Sequence, residues 1–173
     1  MTTDELLKLL KDKADEDDIP EDFPPLTEDQ VAQYEQEMGV KLPELLKLIY
    51  TKVANGGIGA DCMLIPLYEE DSEESVHHMY LNWMKQQPVI EDFDDEDGDI
   101  IPEWIPGVIP LADMGCAMYA LLDCNVEGGV VVNCDFDLGP VNFKQEWESS
   151  EEGFFDRPGV PFVEWITNWA ADQ

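Results

Sequence analysis

The 173 residues predict an α+β fold, a central antiparallel sheet with helices packed around it. Three observations predict it. The periodicities run helix, helix, strand, helix, then a run of strands, then a closing helix. Two strand-like runs, 117–124 and 130–136, flank the five-residue turn Asn125-Val126-Glu127-Gly128-Gly129, which is the pattern of an antiparallel hairpin. Hydrophobic residues make up 44 %, with 5 Trp, 5 Tyr and 7 Phe, enough for one sizeable core, and the length suits one ordinary domain rather than two large ones.

The elements follow in order. Residues 3–13 read as an amphipathic helix with Thr2 and Glu5 as a capping box and Leu6, Leu7, Leu9 and Leu10 on its apolar side. Residues 14–25 hold six acids and three prolines without periodicity and read as an extended linker. The expected organisation is thus an N-terminal helix and acidic linker over 1–25, then a single domain over 26–173.

Within the domain, Thr27 and Gln30 form a second capping box, Leu26 and Val31 a hydrophobic staple, and Gly39 ends the helix in the left-handed conformation. Pro43 opens the next helix, which carries Leu45, Leu46, Leu48, Ile49, Tyr50 and Val53 and stops at Asn55-Gly56-Gly57. Residues 63–68 read as a short strand weakened by Pro66. Val76, Met79, Tyr80, Trp83 and Met84 then make the best amphipathic helix pattern of the chain.

Residues 100–110 are broken by Pro102, Pro106 and Pro110 and read as irregular. In the hairpin, pairing Leu122 with Val132 turns Met118, Ala120, Leu122 and Cys124 inward, against Val130, Val132, Cys134 and Phe136. It leaves Asp123, Asn133, Asp135 and Asp137 on a solvated face. Val141-Asn142-Phe143 reads as one more short strand. Pro161 starts the last helix, with Phe162, Trp165, Ile166 and Trp169 on one face.

Charge restricts function. Forty acidic residues against nine basic ones give a net charge of −31. Nucleic acid and anionic membranes are excluded as ligands of the general surface, because both need clustered Lys and Arg. The partners such a field attracts are cationic, a basic protein or metal ions. No apolar run approaches the roughly 18 residues of a membrane span, and the N-terminus lacks the pattern of a secretory signal. Cys62, Cys116, Cys124 and Cys134 show no CxxC pair and no zinc spacing, and read as reduced thiols in apolar or strand-like contexts. A cytoplasmic location is the expectation.

The chemistry-bearing groups point away from catalysis. His77 and His78, about 100° apart on a helix, cannot both chelate one ion, and they read as exposed or flanking helix residues. The loop 91–99 has seven acids in nine residues. With Gly98 as the sixth position of a calcium loop, the first and twelfth would be Phe93 and Trp104, which carry no ligand oxygen, so an EF-hand is excluded. Weak binding of divalent cations, plain solvation and docking of a cationic partner stay open for it. Asp135 and Asp137 pair two carboxylates at i and i+2 on a strand face, the one arrangement suited to a small hydrolase. Nothing beside them supplies a nucleophile, oxyanion hole or phosphate cradle. Neither an enzyme nor a cofactor or metal is expected.

Leu26-Thr27-Glu28, Tyr34 to Leu46 and Asn55-Gly56-Gly57 together resemble the opening of the SUKH superfamily, the Smi/Knr-type domain of bacterial toxin-immunity proteins and a fungal cell-wall regulator. Glu37, Gly39, Leu42, Pro43, Asn55, Gly56 and Gly57 match in order. Residues 109–119 look like the family's entry to its central hairpin, and Phe162 to Ile166 stand where it has its closing helix. The chain departs from the pattern after Gly115, where many members place a second glycine and Cys116-Ala117 stands here, and by an acidic insertion around 88–104. The resemblance implies a non-catalytic α+β domain that binds and neutralises a toxin domain, often a nuclease. The alternative within the family is an intracellular regulatory or scaffold module.

The stretch 86–142 holds thirteen acids and no Lys or Arg. Asp94, Asp95, Glu96 and Asp97 are therefore the expected docking carboxylates, with Asp135 and Asp137 extending the acidic face. Phe93 and Trp104 are the expected apolar anchors. The charge leads to the expectation of a basic protein as partner, and the resemblance implies that it is a toxin domain such as a nuclease.

Overall fold

The computed structural model describes residues 1–59, 62–85, 104–138, 143–148, 154–156 and 158–172. The chain opens with α1 (Thr3–Glu16), α2 (Ile19–Asp22), α3 (Glu28–Met38) and α4 (Glu44–Lys52). The first strand, β1 (Met63–Leu64), precedes α5 (Val76–Lys85). A run of strands follows, β2 (Val108–Asp113), β3 (Met118–Asp123) and β4 (Val130–Asp135). Then come α6 (Phe143–Glu148), β5 (Val160–Pro161) and α7 (Phe162–Asp172). The five strands form one antiparallel sheet in the order β1-β2-β3-β4-β5. The α+β architecture is the one the sequence predicts.

Local signals set the helix ends. The Thr2/Glu5 and Thr27/Gln30 capping boxes are both formed, each threonine accepting from the N3 backbone and each N3 side chain reaching back. Gly39 closes α3 at φ 68°, where its N–H meets the carbonyls of Glu35 and Gln36. The N-terminal segment differs from expectation. Residues 14–25 are not all extended, because α1 runs on to Glu16 and α2 adds a helical turn opened by Pro20. Leu6, Leu10 and Ala14 of α1 are buried against α4 and α7, inside the same hydrophobic cluster as the sheet. Burying two leucines is worth roughly 3–6 kcal/mol before entropy, so α1 is a packed helix and not a free arm.

The sheet departs from expectation in register. Leu121 pairs with Val132 and Leu122 with Val131, one residue from the expected pairing. Alternation could not fix this, because Ala120, Leu121 and Leu122 are all fully buried. Successive side chains of a strand face opposite ways, so both faces of the sheet are covered here. Asp123 is 7 % exposed rather than solvated, and its carboxylate accepts the backbone N–H and the side-chain amide of Asn125, both at 2.9 Å. Met118, expected inside, is instead 38 % exposed.

Residues 108–110, expected to be irregular, are strand. Pro110 pairs with Leu121 beside a bulge that shifts the register before Ala112, and a bulge is where a sheet tolerates a missing N–H. The strand expected over 63–68 shrinks to Met63–Leu64. Phe143, expected in a strand, begins α6, while Val141 and Asn142 lie outside the described residues.

Candidate functional site

The two sequence signatures in the first half are structural joints. Glu35 is buried, and its carboxylate accepts the Leu42 N–H at 2.8 Å and lies 3.5 Å from the Lys41 ammonium, which fixes the Leu42-Pro43 corner between α3 and α4. Asn55 is buried beyond α4. Its side-chain oxygen accepts the Leu67 N–H at 3.0 Å, and its amide donates to the Tyr68 carbonyl at 2.7 Å. Gly56 sits at φ 87°, where a Cβ would stand 2.5 Å from the Pro66 nitrogen. Asn55-Gly56-Gly57 thus clamps the segment from β1 towards α5.

Of the expected site residues, the structure describes Trp104, Asp135 and Asp137. Phe93, Asp94, Asp95, Glu96 and Asp97 lie outside the described residues. Trp104 is 2 % exposed, donates its indole N–H to the Val108 carbonyl at 2.8 Å, and packs against Trp83, Phe136 and Phe143. It occupies a core position, not a surface one. Asp135 and Asp137 do not share a strand face. β4 ends at Asp135, a 3-10 turn follows over Phe136–Leu138, and Asp135 accepts the Asp137 N–H at 2.9 Å. That bond is a local turn contact of the kind Asp makes two residues on.

His77 is corrected as well. It is 6 % exposed, not at the surface, and its Nε2 lies 2.7 Å from a Glu37 carboxylate oxygen across the α3–α5 contact. Tyr34 and Tyr68 flank its ring. The Gln33 amide, donating to Glu37 at 2.8 Å, holds the Glu37 carboxyl below its ordinary value; desolvation opposes the shift, and His77 adds to it. The pair fastens α5 to α3.

A surface that sequence reasoning missed lies where β1 and β3 begin and β2 ends. The register places Met63 beside Asp113 and Asp113 beside Tyr119, and directly paired residues project to one face. Phe23, Ile65, Pro66 and Met79 close around this row, and Glu69, Glu73 and Glu74 join Asp113 to leave a groove of about 280 Å³. Among the described residues, no Lys or Arg lines it. Burial, and after it the negative charges of Asp113 and Glu74, pushes the Tyr119 phenol up. The signal was available in outline as a second acidic run, Glu69-Glu70-Asp71-Ser72-Glu73-Glu74. Its convergence with Asp113, forty residues away in the chain, was not.

A smaller groove of about 200 Å³ between α3 and α4 is lined by Glu28, Glu35 and Glu44, but Lys47 also lines it and pairs with Glu44 at 2.8 Å, which offsets its charge. Among the described residues, no three His, Cys, Asp or Glu side chains are placed to hold a metal ion, and no helix is long and apolar enough to cross a membrane.

Comparison with known families gives one result. A sequence model of the SMI1/KNR4 family (SUKH-1) matches residues 25–156, which is most of the chain and takes in both joints and most of the acidic groove. No curated protein matches the chain at a significant level.

Proposed function

Since this chain belongs to the SMI1/KNR4 family (SUKH-1), we propose that it is a non-catalytic, cytoplasmic immunity protein that neutralises a basic toxin domain through its acidic surface. Membership supports a role of the toxin-immunity or Smi/Knr type in general. The observation that carries the finer reading is the charge of −31, with thirteen acids and no Lys or Arg over residues 86–142. A nuclease toxin must present a cationic groove to hold phosphates. An inhibitor with a strongly negative surface is steered to that groove and occludes it. No cofactor enters this reading, because occlusion needs complementarity and not chemistry.

Co-purification from the native cells tests it. The tagged chain is expected to bring down a basic protein whose release rises steeply with salt, and the gene beside its own is expected to encode that protein. Neutral or acidic partners held independently of salt would overturn the reading, and a housekeeping gene neighbourhood would favour the regulatory branch of the family.

A further inference from the structure

We propose that the groove bounded by Met63, Met79, Asp113 and Tyr119 is the seat of a lysine or arginine side chain on a basic segment of the partner, with its aliphatic stem on the apolar walls and its cationic head among Glu69, Glu73, Glu74 and Asp113. The proposal rests on the reading of this chain as a binder of a cationic protein, and it names where and how that partner is held.

Shape and charge select this occupant together. The groove joins an apolar wall to an acidic one, with Ile65 and Pro66 buried beneath it and Met63 left 38 % exposed beside the acids. At about 280 Å³ it falls below the roughly 300–1,000 Å³ of sites for drug-sized ligands, so it suits one long side chain rather than a cofactor. Among the described residues no base lines it to compensate its carboxylates, so a neutral or acidic occupant would meet repulsion or unpaired charge.

A bare divalent ion is the other cation to consider, but the groove's acids are not among any three placed to ligate one metal. A lysine or arginine satisfies both halves of the groove, because its methylene stem covers apolar surface while its charged end stays with the acids. The Tyr119 phenol on the groove wall is pushed up first by burial and then by the charges of Asp113 and Glu74. The Asn55 clamp and the Glu37–His77 pair hold the two sides, the segment after β1 and helix α5, in register.

The test uses the full chain with methyl-labelled methionine and two probes, octalysine and its fully Nε-acetylated counterpart, at low salt. The Met63 and Met79 methyl resonances are expected to shift saturably with octalysine and not with the acetylated peptide. The variant Glu73→Gln/Glu74→Gln/Asp113→Asn is expected to weaken octalysine about ten-fold, as three partly exposed charge contacts would. The control Glu127→Gln/Asp156→Asn/Glu164→Gln carries the same change in net charge outside the groove and is expected to weaken it less than about three-fold by general field alone.

The pair Glu73→Gln/Glu74→Gln, both on the surface, is read alongside in case Asp113→Asn disturbs the turn whose Gly115 N–H it accepts. Met63 and Met79 unmoved, an equal response to the acetylated peptide, or equal weakening by both triple variants would overturn the groove. Those results leave the proposed function standing if a basic partner is still captured from cells. Capture of no basic partner removes the proposed function while a groove-specific response to octalysine persists.

Discussion

The four cysteines divide by environment, and their reactivity should follow. Burial pushes the thiols of Cys124 and Cys134 up to about 12, whereas Cys116 is exposed. At pH 8 a thiol reagent is therefore expected to modify Cys116 first and to reach Cys124 and Cys134 only on unfolding, as peptide mapping of the labelled protein would show. The same shifts give a pH dependence. The folded pKa lies above the unfolded value of about 8.5, so the folded chain keeps these protons longer. The stability they contribute is present below that value and is lost as pH rises from about 9 towards 12, so denaturant midpoints should fall across that window. Cys116 and its neighbour carry a second residue-scale effect. Cys116 at φ 50° and Ala117 at φ 60° occupy the left-handed region, which glycine enters without a Cβ penalty. The left-handed conformation costs an L-residue about 1–2 kcal/mol, while glycine loses roughly 0.5–1 kcal/mol of backbone entropy. Ala117→Gly is thus expected to stabilise the fold by about 0.5–1 kcal/mol in chemical denaturation, a small gain with an unusual sign.

At the scale of elements, the connection from α4 to β1 carries more of the fold than its length suggests. Asn55 replaces backbone pairing for Leu67 and Tyr68, and removing its side chain leaves a buried N–H and a carbonyl unpaired. Asn55→Ala is expected to cost about 2–4 kcal/mol. Gly56→Ala should cost a similar amount, because a Cβ 2.5 Å from the Pro66 backbone adds collision to the strain of φ 87°. Gly39→Ala is the matched comparison. It has positive φ and open space around it, so only about 1 kcal/mol is expected, and urea midpoints of the three variants check the ranking. These joints were legible in the sequence because a cap, a left-handed glycine or an Asn-Gly-Gly stop is decided within a few residues. The hairpin's existence was legible for the same reason. Its register was not, since alternation carries no information where Ala120 to Leu122 are buried on both faces. Strand β2 was hidden by Pro110, whose missing N–H a bulge accommodates. The acidic groove needed Phe23, β1, the segment before α5, and the ends of β2 and β3 to meet, and no window of sequence contains that meeting.

For the molecule as a whole, the charge of −31 acts on both stability and association. Self-repulsion of that size opposes the compact state and is long-ranged at low salt, where the Debye length is about 30 Å at 0.01 M against about 8 Å at 0.15 M. Each kcal/mol regained by screening is worth roughly 2–4 °C in a chain of this size, so the unfolding temperature should rise by at least that much between those two salt concentrations. An unchanged or lower midpoint would mean that folding leaves the acids no closer together than they are in the unfolded chain. The same field should set how fast a cationic partner arrives. Asp94, Asp95, Glu96 and Asp97 stand in the most acidic run of the chain, and the proposal for them is docking through association rate. Steering depends on summed charge near the path of approach and hardly on the contacts of the final complex, so its loss appears in the on-rate and fades as salt rises. Asp94→Asn/Asp95→Asn/Glu96→Gln/Asp97→Asn is therefore expected to slow association with the captured basic partner about three- to ten-fold at low salt and to leave the off-rate nearly unchanged. The groove variants should do the opposite, since a side chain seated between Met63 and Met79 must be pulled out before the complex parts. An on-rate and salt slope that stay at wild-type values after the four neutralisations would remove the run at 94–97 from the docking surface.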